Sequence, residues 1–223
     1  MYALINKHIQ DLLNYLHPVK DIDPYIDLRT KLPHVDVSTD QDFQKIYKKY
    51  WQLNAARLSA SWCAVYFGHL ETLKNTQHVP TVDEISRFLF GHATNNKGRQ
   101  SLQFSFSTKF VHMLNPTQPV YDSLIAQYYF LPSTTSKNER NERGEVVFPE
   151  QKLANLLNSY RFLETEHKRI LSNGLLEASI HSFRQHFPLA EVFTDEKVID
   201  TLIWQFVRFL RRGAIRKGIV VYS

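Results

Sequence analysis

The chain has 223 residues, 43% hydrophobic and 22% charged, which suits one sizeable core and excludes wholesale disorder. Seven glycines and nine prolines leave long stretches without chain breakers, favouring helices over the turn-punctuated strands of a sandwich or barrel. The net charge of +5 tilts the protein mildly toward polyanions, and the single cysteine, Cys63, excludes an internal disulfide or a cysteine-cluster metal site.

Residues 2–16 place Leu4, Ile5, Ile9, Leu12, Leu13 and Leu16 on one face, predicting a short amphipathic helix stopped by His17-Pro18. The same segment has polar residues at helical intervals and no small-residue cleavage site, so a cytoplasmic rather than secreted protein is expected. Residues 18–39 hold three prolines without a clear period and read as an ordered connector. Asp40 then caps a helical run from Gln41 to about Lys74, about 50 Å if unbroken, with a bend or break expected at Gly68. Cys63 lies in its apolar stretch ASWCAVYF, as a buried inert thiol would.

Thr81 and Glu84 have capping-box spacing ahead of an apolar face of Ile85, Phe88, Leu89 and Phe90. Gly91–Arg99 is a loop, and a helix follows from about Ser101 to Leu114, with Ser105–Ser107 as its weak point. Asn115-Pro116 stops that helix, and Tyr121 or Asp122 starts the next. Residues 132–148 form a polar, aperiodic loop that interrupts a single domain without dividing it. Helices resume at about 149–172, with Asn173-Gly174 as a glycine cap, then near 175–186 and 195–212. The whole reads as an all-α single domain of roughly eight helices. No apolar run is long enough to span a bilayer, so no membrane partner is expected.

The segment FSFSTKFVHMLNPTQPVYDSLI, 104–125, departs from helical padding. Ser107 or Thr108 could cap the helix that Lys109 enters. Lys109 would then sit in a first turn, where exposed amides and the positive end of the dipole disfavour an ammonium. Desolvation acts in the same direction, and a depressed pKa is what a lysine nucleophile needs. The Pro-rich turn brings the chain back, so that Asp122 could face Lys109 and stabilise developing positive charge. An aspartate cap and a solvated lysine are the ordinary roles of the same two residues. His112, three residues after Lys109, could line the same pocket or simply pack. None of the ten histidines completes a metal-site pattern, so no metal or cofactor is expected.

The layout of STKFVHML followed by PVYDSLI resembles the helix-hairpin-helix DNA glycosylases, in particular the branch that excises oxidised purines. The resemblance covers 104–125 and implies a helix-hairpin-helix glycosylase fold. It implies Lys109 attacking a sugar C1′ to form a Schiff base, with Asp122 assisting. Where the family has a glycine-rich hairpin holding a DNA phosphate, this chain has Phe104-Ser-Phe-Ser-Thr108, so the Ser105, Ser107 and Thr108 hydroxyls would take over phosphate contact. The 13 residues from lysine to aspartate are somewhat short for the family.

The densest positive charge, Arg208, Arg211, Arg212, Arg216 and Lys217, reads as a phosphate-contacting patch or as favourable pairing with a helix C-terminus. Tyr47, Tyr50 and Trp51 beside Lys45, Lys48 and Lys49 suggest an aromatic-basic surface. DNA is the expected partner, through N-glycosylase chemistry. A helical DNA-binding module without the chemistry, and a helical protein-interaction domain, are the alternatives.

Overall fold

The computed structural model describes residues 2–56, 58–134, 139–140, 142 and 146–211, and it is all-α, as the sequence predicts. Eleven α-helices lie within these residues. In the polar loop, Glu139–Arg140 pairs antiparallel with Val146–Val147. No helix among the described residues is long and apolar enough to cross a membrane.

The extra helices come from three places where the sequence reading joined or missed elements. Residues 2–16 divide at His8 into α1 (Tyr2–Lys7) and α2 (Ile9–Tyr15), which lets Ile5, Leu12, Leu13 and Leu16 all enter the core. His17 is extended, as a residue before proline must be, and a π-turn, Pro18–Ile22, leads into α3 (Asp23–Lys31). The connector reading is thereby corrected. Pro24 sits within the first turn of α3, where the missing N–H costs no helix hydrogen bond.

The run from 41 to 74 breaks at Gln52, not at Gly68. Asp40 caps α4 (Gln41–Tyr50) by accepting from the Phe43 N–H at 2.7 Å. The chain then turns through a left-handed Gln52, φ 59°, and a 3₁₀ turn, Leu53–Ala56. It resumes as α5 (Ala60–Lys74), capped by Ser59, which runs straight through Gly68. Burial of both Trp51 and Leu53 decides the break, because an uninterrupted helix would carry them in different directions.

The capping box of α6 (Val82–Phe90) is present, with Thr81 Oγ1 accepting from Glu84 N and Glu84 accepting from Thr81 N. After α7 (Phe104–Leu114) and α8 (Ser123–Tyr128) comes α9 (Glu150–Ser172). Gly174, φ 61°, ends α9 in a Schellman motif: its N–H reaches Leu171 O and the Leu175 N–H reaches Ile170 O. α10 (Glu177–His186) leads to α11 (Asp195–Arg211), whose Thr194 cap accepts from Lys197 N at 3.2 Å.

α11 packs against α1, α2, α8, α9 and α10 and is buried nearly all round. Its Val198, Ile199, Leu202, Ile203 and Phe206 are at most 2% exposed, each contributing about 1.5–3 kcal/mol of burial. Lys197 and Asp200 therefore lie in the middle of the molecule. The end of α4, the start of α7 and the turn before α8 close around the same face of α11 and enclose a large cavity.

Candidate functional site

The cavity, about 1480 Å³, is bounded by the Pro18–Ile22 turn, the end of α4, the first turns of α7, the start of α8 and one face of α11. Seven lysine and arginine side chains line it against three aspartates. The cations Lys20, Lys49, Arg99, Arg208 and Arg211 are joined by Lys109 and Lys197, both buried.

Lys109 is the sixth residue of α7, not part of a first turn. Burial of Phe104 and Phe106 pulls the helix start back to Gln103, ahead of the serines. Ser107 Oγ then donates to Gln103 O at 3.3 Å and Thr108 Oγ1 to Ser105 O at 3.0 Å. Both hydroxyls are wholly buried, so neither Ser107 nor Thr108 can meet a phosphate; of the three hydroxyl residues only Ser105 lines the cavity. Helix-dipole depression of Lys109 is likewise replaced by another cause. Burial pushes its pKa down to about 8, against the opposing pull of Asp122. The Lys109 ammonium donates to Trp51 O at 3.1 Å, the carbonyl that ends α4, and lies 5.0 Å from the Phe106 ring centroid.

Thr108 joins α7 to the chain before α8. Its Oγ1 accepts from Tyr121 N at 3.1 Å, so the neighbours of Lys109 and Asp122 are bonded to each other and both site residues line one cavity. Asp122 Oδ1 accepts from Leu124 N and Ile125 N, each at 2.9 Å, capping α8. Lys109 and Asp122 are thus brought to one site, although the aspartate is also an ordinary cap.

His112 belongs to the core instead of the cavity wall. Its Nδ1 lies 2.6 Å from Gln118 O, which can only accept, so Nδ1 carries the proton and Nε2 accepts from the Tyr25 hydroxyl at 2.8 Å. Burial first, then the charge of Lys197, holds its pKa well below the usual histidine range, and the ring is neutral.

Of the C-terminal cations, Arg208 and Arg211 line the cavity. Arg208 stacks 4.3 Å from the Trp204 ring centroid and reaches Asp21 at 3.4 Å, while Arg211 donates to Gln127 Oε1. Arg212, Arg216 and Lys217 lie outside the described residues. Of the aromatic-basic group near residue 50, Tyr47 is buried, while the buried Trp51, Lys49 and the half-buried Tyr50 line the cavity.

The sequence reading missed Lys197 and Asp200. Lys197 Nζ sits 4.7 Å from the Trp51 ring centroid, 4.9 Å from Tyr25 and 5.4 Å from Tyr50. Asp200, one turn further along α11, accepts from Val120 N at 2.9 Å through Oδ2. Its Oδ1 faces His167 Nε2 at 3.4 Å, but the orientation is poor and neither atom makes a hydrogen bond. Burial is the largest influence on all three groups. It pushes the Lys197 amine down and the Asp200 carboxyl up, each opposed by the other's charge, and His167 down to about 4. The available signal was a lysine and an aspartate three apart within an otherwise apolar helical stripe, in KVIDTLI.

Among the described residues no cluster of three or more His, Cys, Asp or Glu side chains could hold a metal ion. No protein-family model, curated protein or solved structure matches the chain.

Proposed function

We propose that the protein binds DNA across this cavity and acts on an extruded nucleotide as an N-glycosylase, with Lys109 as amine nucleophile and Asp122 as its carboxylate partner. The observation that carries the reading is a buried amine with a pKa near 8 opening on a cation-lined cavity that Asp122 shares. About a tenth of such an amine is neutral at pH 7, against well under a thousandth for an ordinary lysine. The nitrogen lone pair forms the bond to C1′ while the glycosidic bond breaks and its electron pair leaves on the base. Asp122 stabilises the positive charge that develops on the sugar. The half-buried Tyr50 and Trp204 line the cavity, where an extruded base would compete with Lys197 and Arg208 for their ring faces.

The bond from Lys109 to Trp51 O favours a second reading. A lysine that closes the end of α4 has a structural task of its own, which a DNA-binding protein without the chemistry would also need.

Borohydride trapping on a duplex with an abasic site or a damaged base separates the two. A covalent adduct that disappears in Lys109→Gln is expected. Asp122→Asn keeps an equally good helix cap but removes the charge, so it should slow the reaction on the order of a hundredfold or more. Phosphate contact by the five cations Lys20, Lys49, Arg99, Arg208 and Arg211 predicts a slope of about −4.5 for log affinity against log salt. That slope without an adduct would leave the binding reading, and absence of DNA binding at low salt would remove both.

A further inference from the structure

Lys197 and Asp200 are deeply buried ionisable residues on the cavity wall that the chemistry above does not use. Unlike Lys109, which is held by a carbonyl, Lys197 is held over the faces of three aromatic rings. Among the described residues no carboxylate oxygen lies within 4.0 Å of it in an ion pair. Asp200 follows at the i+3 position and lines the same cavity. Its carboxyl has one backbone donor at Oδ2, and the buried Oδ1 faces His167 Nε2 at 3.4 Å without a hydrogen bond.

We propose that Lys197 is a second carbonyl-reactive amine of this cavity, with Asp200 as its proton donor, and that its ligand is an open-chain sugar aldehyde carrying phosphate. The Lys197 nitrogen attacks the carbonyl carbon, a C–N bond forms, and a proton moves from nitrogen to the former carbonyl oxygen to give a carbinolamine. The hydroxyl then takes the Asp200 carboxyl proton and leaves as water. What remains is a protonated imine beside the Asp200 carboxylate, and hydrolysis reverses every step. The three rings that hold the ammonium hold the iminium equally well, since both carry one positive charge at the same place. Burial favours the neutral carboxyl and the neutral amine alike, against the mutual attraction of the two charged forms. The phosphate preference follows from Lys20, Lys49, Arg99, Arg208 and Arg211 on the walls.

The proposal shares the cavity with the glycosylase reading but does not depend on it, because the aldehyde could be the sugar of an abasic nucleotide or a free sugar phosphate. The intact protein is incubated with ribose 5-phosphate in one arm and an abasic-site duplex in the other. Each is reduced with borohydride, and the modified lysine is located by peptide mass spectrometry. Modification of Lys197 in at least one arm is expected, in preference to the surface lysines, because burial lowers its pKa. Lys197→Gln should abolish it, while mapping on the wild type avoids any folding defect in that variant. Reaction with ribose 5-phosphate alone would support this inference while counting against DNA as the partner. Modification confined to Lys109 would overturn it and leave the glycosylase reading standing, and no adduct at either lysine in either arm would overturn both.

Discussion

Replacing Lys109 by methionine tests whether burial governs this amine. The folded protein releases the Lys109 proton at about 8, whereas the unfolded chain holds it to about 10.5. Between those values the unfolded state binds more protons, so stability from this residue rises as pH climbs. The charged amine costs the fold about 3 kcal/mol at pH 7 and a little over 1 kcal/mol at pH 9.5. Methionine has a similar reach and no proton, and it escapes that cost. It also leaves Trp51 O without its donor, a loss of about 1–3 kcal/mol that does not depend on pH. At pH 7 the two effects nearly cancel, and the variant should match or slightly exceed the wild type. By pH 9.5 it should have lost about 2 kcal/mol relative to the wild type, or about 4–8 °C in Tm for a chain of this size. Urea unfolding of both proteins at the two pH values measures this directly. Lys197 and Asp200 titrate in both proteins, and because the Lys109 charge also lowers the Lys197 pKa, the difference reports Lys109 together with its smaller effect on Lys197. A wild-type-minus-variant difference that stays constant within about 0.5 kcal/mol would refute a burial-depressed amine.

Two further substitutions probe the frame around the cavity. Tyr25→Phe removes the hydroxyl that His112 Nε2 accepts from and strands a buried ring nitrogen, so a loss of about 1–3 kcal/mol is expected; an unchanged Tm would mean the imidazole finds another donor. Gln52→Gly relieves a left-handed residue at φ 59° and should raise stability by up to about 1 kcal/mol. That gain would appear as a higher urea midpoint with the same slope, and a lower midpoint would show that the Gln52 side chain matters more than its backbone.

The sequence by itself determined what is local. The all-α class follows from period and the scarcity of breakers. The caps at Asp40, Thr81, Asp122 and Gly174 follow because each is settled by groups within a few residues along the chain. Packing between distant segments decided the rest. The breaks at His8 and Gln52 and the helix after Pro24 depend on which apolar side chains must reach the core together. Ser107 and Thr108 looked like a cap until burial of Phe104 and Phe106 drew α7 back past them. That Lys109 and Asp122 would line one cavity was legible because a short turn joins the two residues. Lys197 and Asp200 lie 75 or more residues further along the chain than Asp122, and only the burial of α11 among its neighbours brings them to the same cavity. Sequence spacing records which residues share a helix face, but the neighbours that desolvate a charge are set by tertiary contact, and desolvation is what lowers the pKa of Lys109 and Lys197.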